Sequence, residues 1–231
     1  MENKAIAIIA ARGGSKRIPK KNIRSFLGRP IISYSIDAAI NSGLFGEIMV
    51  STDSEEIAGI AMRAGAKVPF LRSEVNSNDF AGTADVIAEV INYYKMQGVF
   101  YEKGCCIYPT AVFVTPDLLK KAYDILIDKK FDVVFPATRF SYPIQRSLRV
   151  LPGSKAEMLW PENYYKRSQD LEKVYHDAGQ FYWFVSNYIL QSNKLFSDNT
   201  GVIEISELIA QDIDNEEDWK LAEIKHSFCQ K

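Results

Sequence analysis

Histidine and cysteine are scarce in this chain, and the scarcity removes several functions at once. His176 and His226 are the two histidines in 231 residues, too few for a histidine-built metal centre. Three cysteines, Cys105, Cys106 and Cys229, make no disulfide framework. Cys105 and Cys106 are adjacent, so a strand turns them to opposite faces and leaves them a poor pair for one metal. Such cysteine use fits a reducing, cytoplasmic setting. No apolar stretch approaches the ~20 residues of a membrane span. The apolar run KAIAIIAA ends in a basic loop and lacks the layout of a signal peptide, so it reads as a buried strand. Neither sign of charge dominates: 28 Lys and Arg against 29 Asp and Glu leave a net charge of −1, which argues against a general nucleic-acid binder. Internal repeats, low-complexity tracts and inter-domain linkers are also missing. What remains is a globular composition, 47% hydrophobic and 25% charged, long enough for one large domain or a domain with an insert.

Apolar runs alternate with helix-like segments. The pattern predicts strands over 4–11, 47–51, 68–71, 104–108 and 132–136. Between them it predicts helices over 30–41, from Asp53 or Ser54 to Ala64, 84–96 and 116–128. Pro30 and Pro116 open two of these helices, while Gly43 and Gly65 end two. Of Asp53's two readings, contact with the active site or cap of the next helix, the cap is preferred. This alternation predicts an α/β fold: a Rossmann-like, mostly parallel sheet with helices on both faces. Residues 138–173, with Pro143, Pro152, Gly153, Pro161 and a β-like piece at 147–151, read as a small hairpin-rich insert. Alternation resumes at 180–185, and a last helix is expected over about 216–227.

One local excess stands against the overall neutrality. AARGGSKRIPKKN, residues 10–22, gathers Arg12, Lys16, Arg17, Lys20 and Lys21 directly after the first strand. Ligands of open parallel sheets bind beyond the carboxyl ends of the strands, where this loop must lie. Gly13 and Gly14 free the backbone to curl its N–H groups around an anion, and the cations add charge. A nucleoside triphosphate suits both. The Walker spacing and the Gly-x-Gly-x-x-Gly fingerprint are absent. The bland alternative is a solvated basic loop. Near the other end, QDID places Asp212 and Asp214 two apart, on one face of an extended segment. They read either as magnesium ligands or, for Asp214 with Glu217, as a capping box for the last helix.

The loop AARGGSKRIPKKN resembles the signature of the cytidylyltransferases that activate eight- and nine-carbon acidic sugars, relatives of the CMP-sialic acid synthetases. The family usually has a proline where this chain has Ala10. The similarity extends through STDSEEIA, FLRSE, QRSLR, EMLWPE, RSQDLEKVYHDAGQFYW and QDIDNEEDW, nearly the whole chain. The resemblance implies a single nucleotidyltransferase domain, residues 1–231, in which a sugar's anomeric hydroxyl attacks the α-phosphate of CTP. Arg12, Lys16 and Lys21 would hold the triphosphate as the catalytic cations. Ala11, Gly13, Gly14 and Asn22 would lie on the nucleotide, and Arg72 and Thr83 would read cytosine and ribose. Alone, Arg72 reads as a surface ion pair and Thr83 as a helix cap. The resemblance tips Asp212 and Asp214 toward Mg²⁺.

An acidic nine-carbon sugar needs a cation for its carboxylate, and Arg167 offers two parallel N–H donors. Gln169 and Gln180 suit hydroxyl or acetamido groups. His176 reads equally as a substrate contact or a packed side chain. Of Tyr182 and Trp183, alternation places one toward the ligand. Sialic acid enzymes have glutamine where this chain has Tyr108, and tend to read Asn-Gly-Ala at Asp177–Gln180. Tyr108 and Gln180 suit a sugar with a more apolar tail and a second amide. The insert is expected to form a homodimer, with Arg146 or Arg149 reaching the partner's sugar site. Rival readings are a glycosyltransferase, which usually carries Asp-x-Asp mid-chain rather than near the C-terminus, and a nucleotide-sensing module, which needs no sugar loop.

Overall fold

The computed structural model describes residues 5–229. Strand β1 (Ala5–Ala10) leads into the basic loop; Lys4, expected in the same strand, lies outside the described residues. A small hairpin follows, β2 (Ser25–Phe26) and β3 (Arg29–Pro30), turning at Leu27 and Gly28, both with positive φ. Helix α1 (Ile32–Ser42) therefore starts two residues after Pro30, which serves the hairpin instead of opening the helix. Gly43, at φ 66°, ends it in the left-handed region that a glycine enters without Cβ strain. Strand β4 (Phe45–Ser51) and helix α2 (Glu55–Arg63) come next. The segment 68–71 is not a strand: the bridge of Met49 to Lys67 and the bond from the Arg72 N–H to the Thr52 carbonyl flank it on either side. Val68 and Phe70 pack against the two core clusters without extending the ladder, and Leu71 is exposed.

The short helix α3 (Glu74–Ser77) and the longer α4 (Thr83–Met96) lead to strand β5 (Lys103–Ile107). Helix α5 (Pro116–Lys129) begins as its sequence dictates, with Pro116 in the first turn and Thr115 Oγ1 accepting from the Leu118 N–H at 3.2 Å. Strand β6 (Val133–Arg139) follows. The insert contains one hairpin, β7 (Leu148–Leu151) and β8 (Lys155–Met158), with 3₁₀ turns and extended chain around it. Strand β9 (Tyr175–Asp177) returns the chain to β6. Strand β10 (Phe181–Val185), helix α6 (Ser186–Ser192), strand β11 (Thr200–Glu204) and helix α7 (Glu216–Cys229) complete the order.

The main sheet runs β11–β6–β10–β5–β1–β4, with β9 paired to β6. Neighbours β4, β1 and β5 are parallel, as are β6 and β11; β10 enters antiparallel between β5 and β6. Alternation along β1 divides the core. Ala7 and Ile9 pack with Ile32, Ile36, Ile57 and Leu119 from α1, α2 and α5, while Ile6 and Ile8 pack with Ile87, Val90 and Ile189 from α4 and α6. Cys105 and Cys106 go to opposite faces on the same rule. Each fully buried Ile or Phe contributes about 1.5–3 kcal/mol relative to exposure.

A third cluster positions the site. Ile18 of the basic loop, Phe26 and Ile31, Val112 and Phe113, Ile213, and Trp219 and Ala222 of α7 share one buried patch. Ile18 and Ile213 are fully buried between charged neighbours, so the cationic loop and the acidic segment are pinned to the same apolar plug.

Candidate active site

A cleft of about 470 Å³ opens beyond the carboxyl ends of β1 and β5. Its walls bring together segments that are distant in sequence: Arg12, Lys16, Arg17, Lys21 and Asn22 of the basic loop, Arg72, Thr83, Tyr108, and Asp212 with Asp214. The parallel pairing of β1 with β5 places the basic loop beside Tyr108, and α4 begins against them with Thr83 as its first residue. That size suits a small-molecule ligand.

The loop is rigidly tied. Asn22 is buried and donates from Nδ2 to the Arg12 carbonyl at 2.8 Å. The Gly13 N–H donates to Asp53 Oδ1 at 2.7 Å. Asp53 is thus a buttress of the loop; the cap of α2 is Ser54, whose hydroxyl accepts from Ile57. A Cβ on Gly13 would sit 3.1 Å from Ser54 Cβ, so the close approach of loop to α2 favours glycine here. Ala11 is buried and donates to the Ser51 carbonyl. Ala11, Gly13 and Gly14 do not line the cleft: Ala11 is buried, the two glycines are exposed outside it, and the Gly13 N–H is already engaged by Asp53. The side chains, more than the glycine amides, face the opening.

The cations are distributed over several carboxylates. Lys21 Nζ donates to the Ile213 carbonyl at 2.6 Å and lies 3.5 Å from Asp214 Oδ1. Arg17 reaches the same oxygen at 2.7 Å. Arg12 and Lys16 pair with Asp79, which sequence reasoning passed over. Lys20 turns away to Glu56. Asp212 is accessible to solvent but ringed by the cleft walls; that partial burial, and Asp214 beside it, push its carboxyl above the usual range. Asp214 does not cap α7. Asn215 Oδ1 accepts from Glu217 and Asp218, and Asp218 Oδ2 accepts from Asp214 and Asn215. The capping box is therefore Asn215 with Asp218, and both aspartates of QDID keep their carboxylates for other work.

Arg72 is not a surface ion pair. It is buried, it donates from Nε to Ser51 Oγ at 2.9 Å and from Nη2 to the Ser51 carbonyl, and it has no salt-bridge partner among the described residues. Burial lowers its pKa. Thr83 Oγ1 lies 3.2 Å from the Tyr108 hydroxyl. The Tyr108 ring packs on Tyr182 with centroids 5.5 Å apart, and the Tyr182 hydroxyl donates to Asp177.

The remaining residues expected on the sugar lie elsewhere in the single chain. Arg167 pairs with Asp170 at 2.8 Å in the insert, and neither it nor Gln169 lines the cleft. His176 is exposed on β9 and packs against Phe140, with ring centroids 4.7 Å apart. Tyr182 is buried one layer behind Tyr108. Gln180 is fully buried, donates to the Ile209 carbonyl, and fastens the segment that leads to Asp212. Gly179, at φ 62°, packs directly against the Asp212 side chain, 3.4 Å from where a Cβ would be. Gly179 and Gln180 hold the acidic segment in place.

A family model described as "Cytidylyltransferase" matches residues 6–203. The chain belongs to the cytidylyltransferase family. This cytidylyltransferase is 42% identical over 221 residues to the pseudaminic acid cytidylyltransferase of Campylobacter jejuni, covering 96% of this chain and 95% of the relative. It is 32% identical to the CMP-N,N'-diacetyllegionaminic acid synthase of Legionella pneumophila, covering 94% of each. Among solved structures, CMP:2-keto-3-deoxy-manno-octonic acid synthetase complexed with CTP superposes with a TM-score of 0.68 at 17% identity, covering 98% of this chain and 99% of the other, which shows a shared fold. The enzyme is thus a CTP-dependent nucleotidyltransferase of the α/β type expected from its alternating pattern. Among the described residues, no helix is long and apolar enough to cross a membrane.

Proposed function

We propose that this cytidylyltransferase moves CMP from CTP to the anomeric hydroxyl of pseudaminic acid and releases pyrophosphate. The observation that carries the reading is the lining of the cleft, which holds four loop cations and the Asp212–Asp214 pair, in a chain 42% identical to a pseudaminic acid enzyme. The anomeric oxygen bonds to the α-phosphorus, the bond from that phosphorus to the bridging oxygen of pyrophosphate breaks, and the hydroxyl proton is lost to solvent. Arg12, Lys16 and Lys21 face the phosphates and draw off the negative charge that grows on the leaving group. Arg72 and Thr83, behind them, take the nucleoside.

Asp212 and Asp214 fit a magnesium ion by the chemistry of their donors. They present hard carboxylate oxygens on one cleft wall, and their mutual repulsion is what a dication would relieve. Among the described residues no third acidic, histidine or cysteine side chain joins them, which matches an ion that takes the rest of its shell from phosphate oxygens and water. A bound magnesium ion supplies charge neutralisation at the α-phosphate. Asp214 is already oriented by Arg17 and Lys21, and Asp212 by its packing on Gly179.

Tyr108 supports the sugar assignment, since its ring suits a methyl-ended tail better than a glutamine amide would. Arg167 and Gln169 serve the sugar only if a second copy of the chain carries its insert over the cleft, and His176, on β9, only if that copy brings β9 with it. The homodimer is therefore part of the same reading. Pyrophosphate release from CTP tests it, measured side by side with pseudaminic and sialic acid. Pseudaminic acid is expected to turn over about a hundredfold faster, from two unmatched polar groups at roughly 1–3 kcal/mol each. Equal or faster turnover of sialic acid overturns the sugar assignment, and no pyrophosphate with either sugar overturns the reaction.

A further inference from the structure

Two of the loop cations already hold an anion, and it comes from the protein itself. Arg12 Nη1 donates to one oxygen of Asp79 at 2.7 Å, and Lys16 Nζ donates to the other at 2.5 Å. One carboxylate therefore bridges two cations that line the cleft, as two oxygens of a phosphate would. Arg12 also donates to the Asn78 carbonyl at 3.3 Å. Among the described residues, Arg12 and Lys16 are the hydrogen-bond partners of the Asp79 carboxylate, and its side chain is 44% exposed. The two cations hold that carboxyl below its usual range. Asp79 stands on the segment between α3 and α4, which ends at Thr83 in the cleft wall. The other two cleft cations of the loop, Arg17 and Lys21, are tied to Asp214 instead.

We propose that Asp79 is a built-in counter-ion for the leaving part of the triphosphate: it occupies Arg12 and Lys16 until a polyphosphate displaces it, and reclaims them when the pyrophosphate has left. The inference rests on the CTP-dependent reading above. A tethered carboxylate competes at high effective concentration, so an incoming anion must offer more than it replaces. A single phosphate trades one bridging anion for another. A triphosphate brings more charge and enough oxygens to reach the Arg17 and Lys21 side of the loop as well. After transfer, Asp79 competes with the pyrophosphate for both cations and favours its release. Displacement also frees residues 78–82, which lead into Thr83, so nucleotide entry is coupled to that edge of the cleft.

Calorimetric titration of the full chain with tripolyphosphate, CTP and CMP tests this in wild type, Asp79→Asn and Asp79→Glu. Asp79 is exposed, so both variants should fold, which a melting curve checks. Exposed ion pairs are individually weak, so Asp79→Asn is expected to bind tripolyphosphate and CTP about three- to tenfold tighter, with CMP within about twofold of wild type. Asp79→Glu, which keeps the counter-charge, should stay within about twofold of wild type for all three. Unchanged or weaker tripolyphosphate binding in Asp79→Asn overturns the counter-ion role, as does an equal gain in Asp79→Glu. An equal gain for CMP and CTP overturns the assignment of Arg12 and Lys16 to the leaving part of the triphosphate. Tighter tripolyphosphate binding with no CTP binding by any form leaves the counter-ion standing and sinks the nucleotide reading.

Discussion

At the scale of single residues, charge and strand-end position made the basic loop legible, but not which partner each cation has. Arg12 and Lys21 both line the cleft, and their side chains donate to a surface carboxylate and the Asn78 carbonyl for one, and to a carbonyl with a more distant carboxylate for the other. Arg12→Ala or Lys21→Ala should therefore lower turnover about a hundredfold while leaving stability within roughly 1 kcal/mol. Steady-state rates with CTP, beside urea melts, check both halves. Asp212→Asn and Asp214→Asn should each raise the magnesium concentration needed for half-maximal rate, without loosening α7. The second half follows because Asn215 and Asp218 make the cap. Magnesium titration with far-ultraviolet circular dichroism separates the two effects. Asp53 shows the limit of local reasoning: a Thr-Asp-Ser run before a helix offers several candidate caps, and the Gly13 N–H in space decided that Ser54 took the role.

At the scale of elements, helices and strands with strong periodicity came out of the sequence within a few residues, because burial on a face imposes a spacing. The segment 68–71 failed because a short apolar run reads the same whether it extends a sheet or covers its rim. Helix α7 carries a further consequence. His226 sits on its inner face amid Phe26, Tyr34 and Phe113, with ring centroids 5.3–5.9 Å away. Burial lowers its pKa below the ordinary 6.5, so the folded protein favours the neutral ring and the unfolded chain takes the proton first. Its contribution is whole above about pH 6.5 and declines as pH falls toward the folded value. Thermal melts at about pH 7.5 and about pH 5.5 should show a larger fall for wild type than for His226→Gln, which does not titrate. Equal falls would mean that α7 docks without a charge-sensitive contact.

At the scale of the whole molecule, the insert is the part that a single chain leaves unfinished. Among the described residues, hairpin β7–β8 pairs with no further strand, and Leu148 and Val150 are 59% and 76% exposed. Tyr142 and Tyr165, also within 138–173, are exposed. A two-stranded hairpin is marginal alone, so the expected outcome is a homodimer closed through residues 138–173. Light scattering at micromolar concentration should give twice the chain mass. Val150→Asp should shift it toward monomer, with the sugar KM rising more than the CTP KM if the partner's insert serves the sugar. Arg146 is spent inside the insert on the Lys166 carbonyl, whereas Arg149 meets Glu157 at 3.8 Å and is the freer of the two to reach across.

Sequence alone determined the alternating α/β plan, the basic loop after β1 and the acidic pair near the end, since these depend on local periodicity and on charge placed at strand ends. Tertiary structure decided what those charges meet. Ile18 and Ile213 bury in one apolar cluster, and that shared burial draws the cations and Asp214 together across nearly two hundred residues. Gln180 and Tyr182 look like ligand residues in a polar, aromatic stretch, yet β10 is an interior strand: Tyr182 is buried in its core cluster, and Gln180, just before the strand, is buried against Ile209. Asp79 carries no local signal, because a lone acid in a polar loop acquires a role only from the two cations that folding sets beside it.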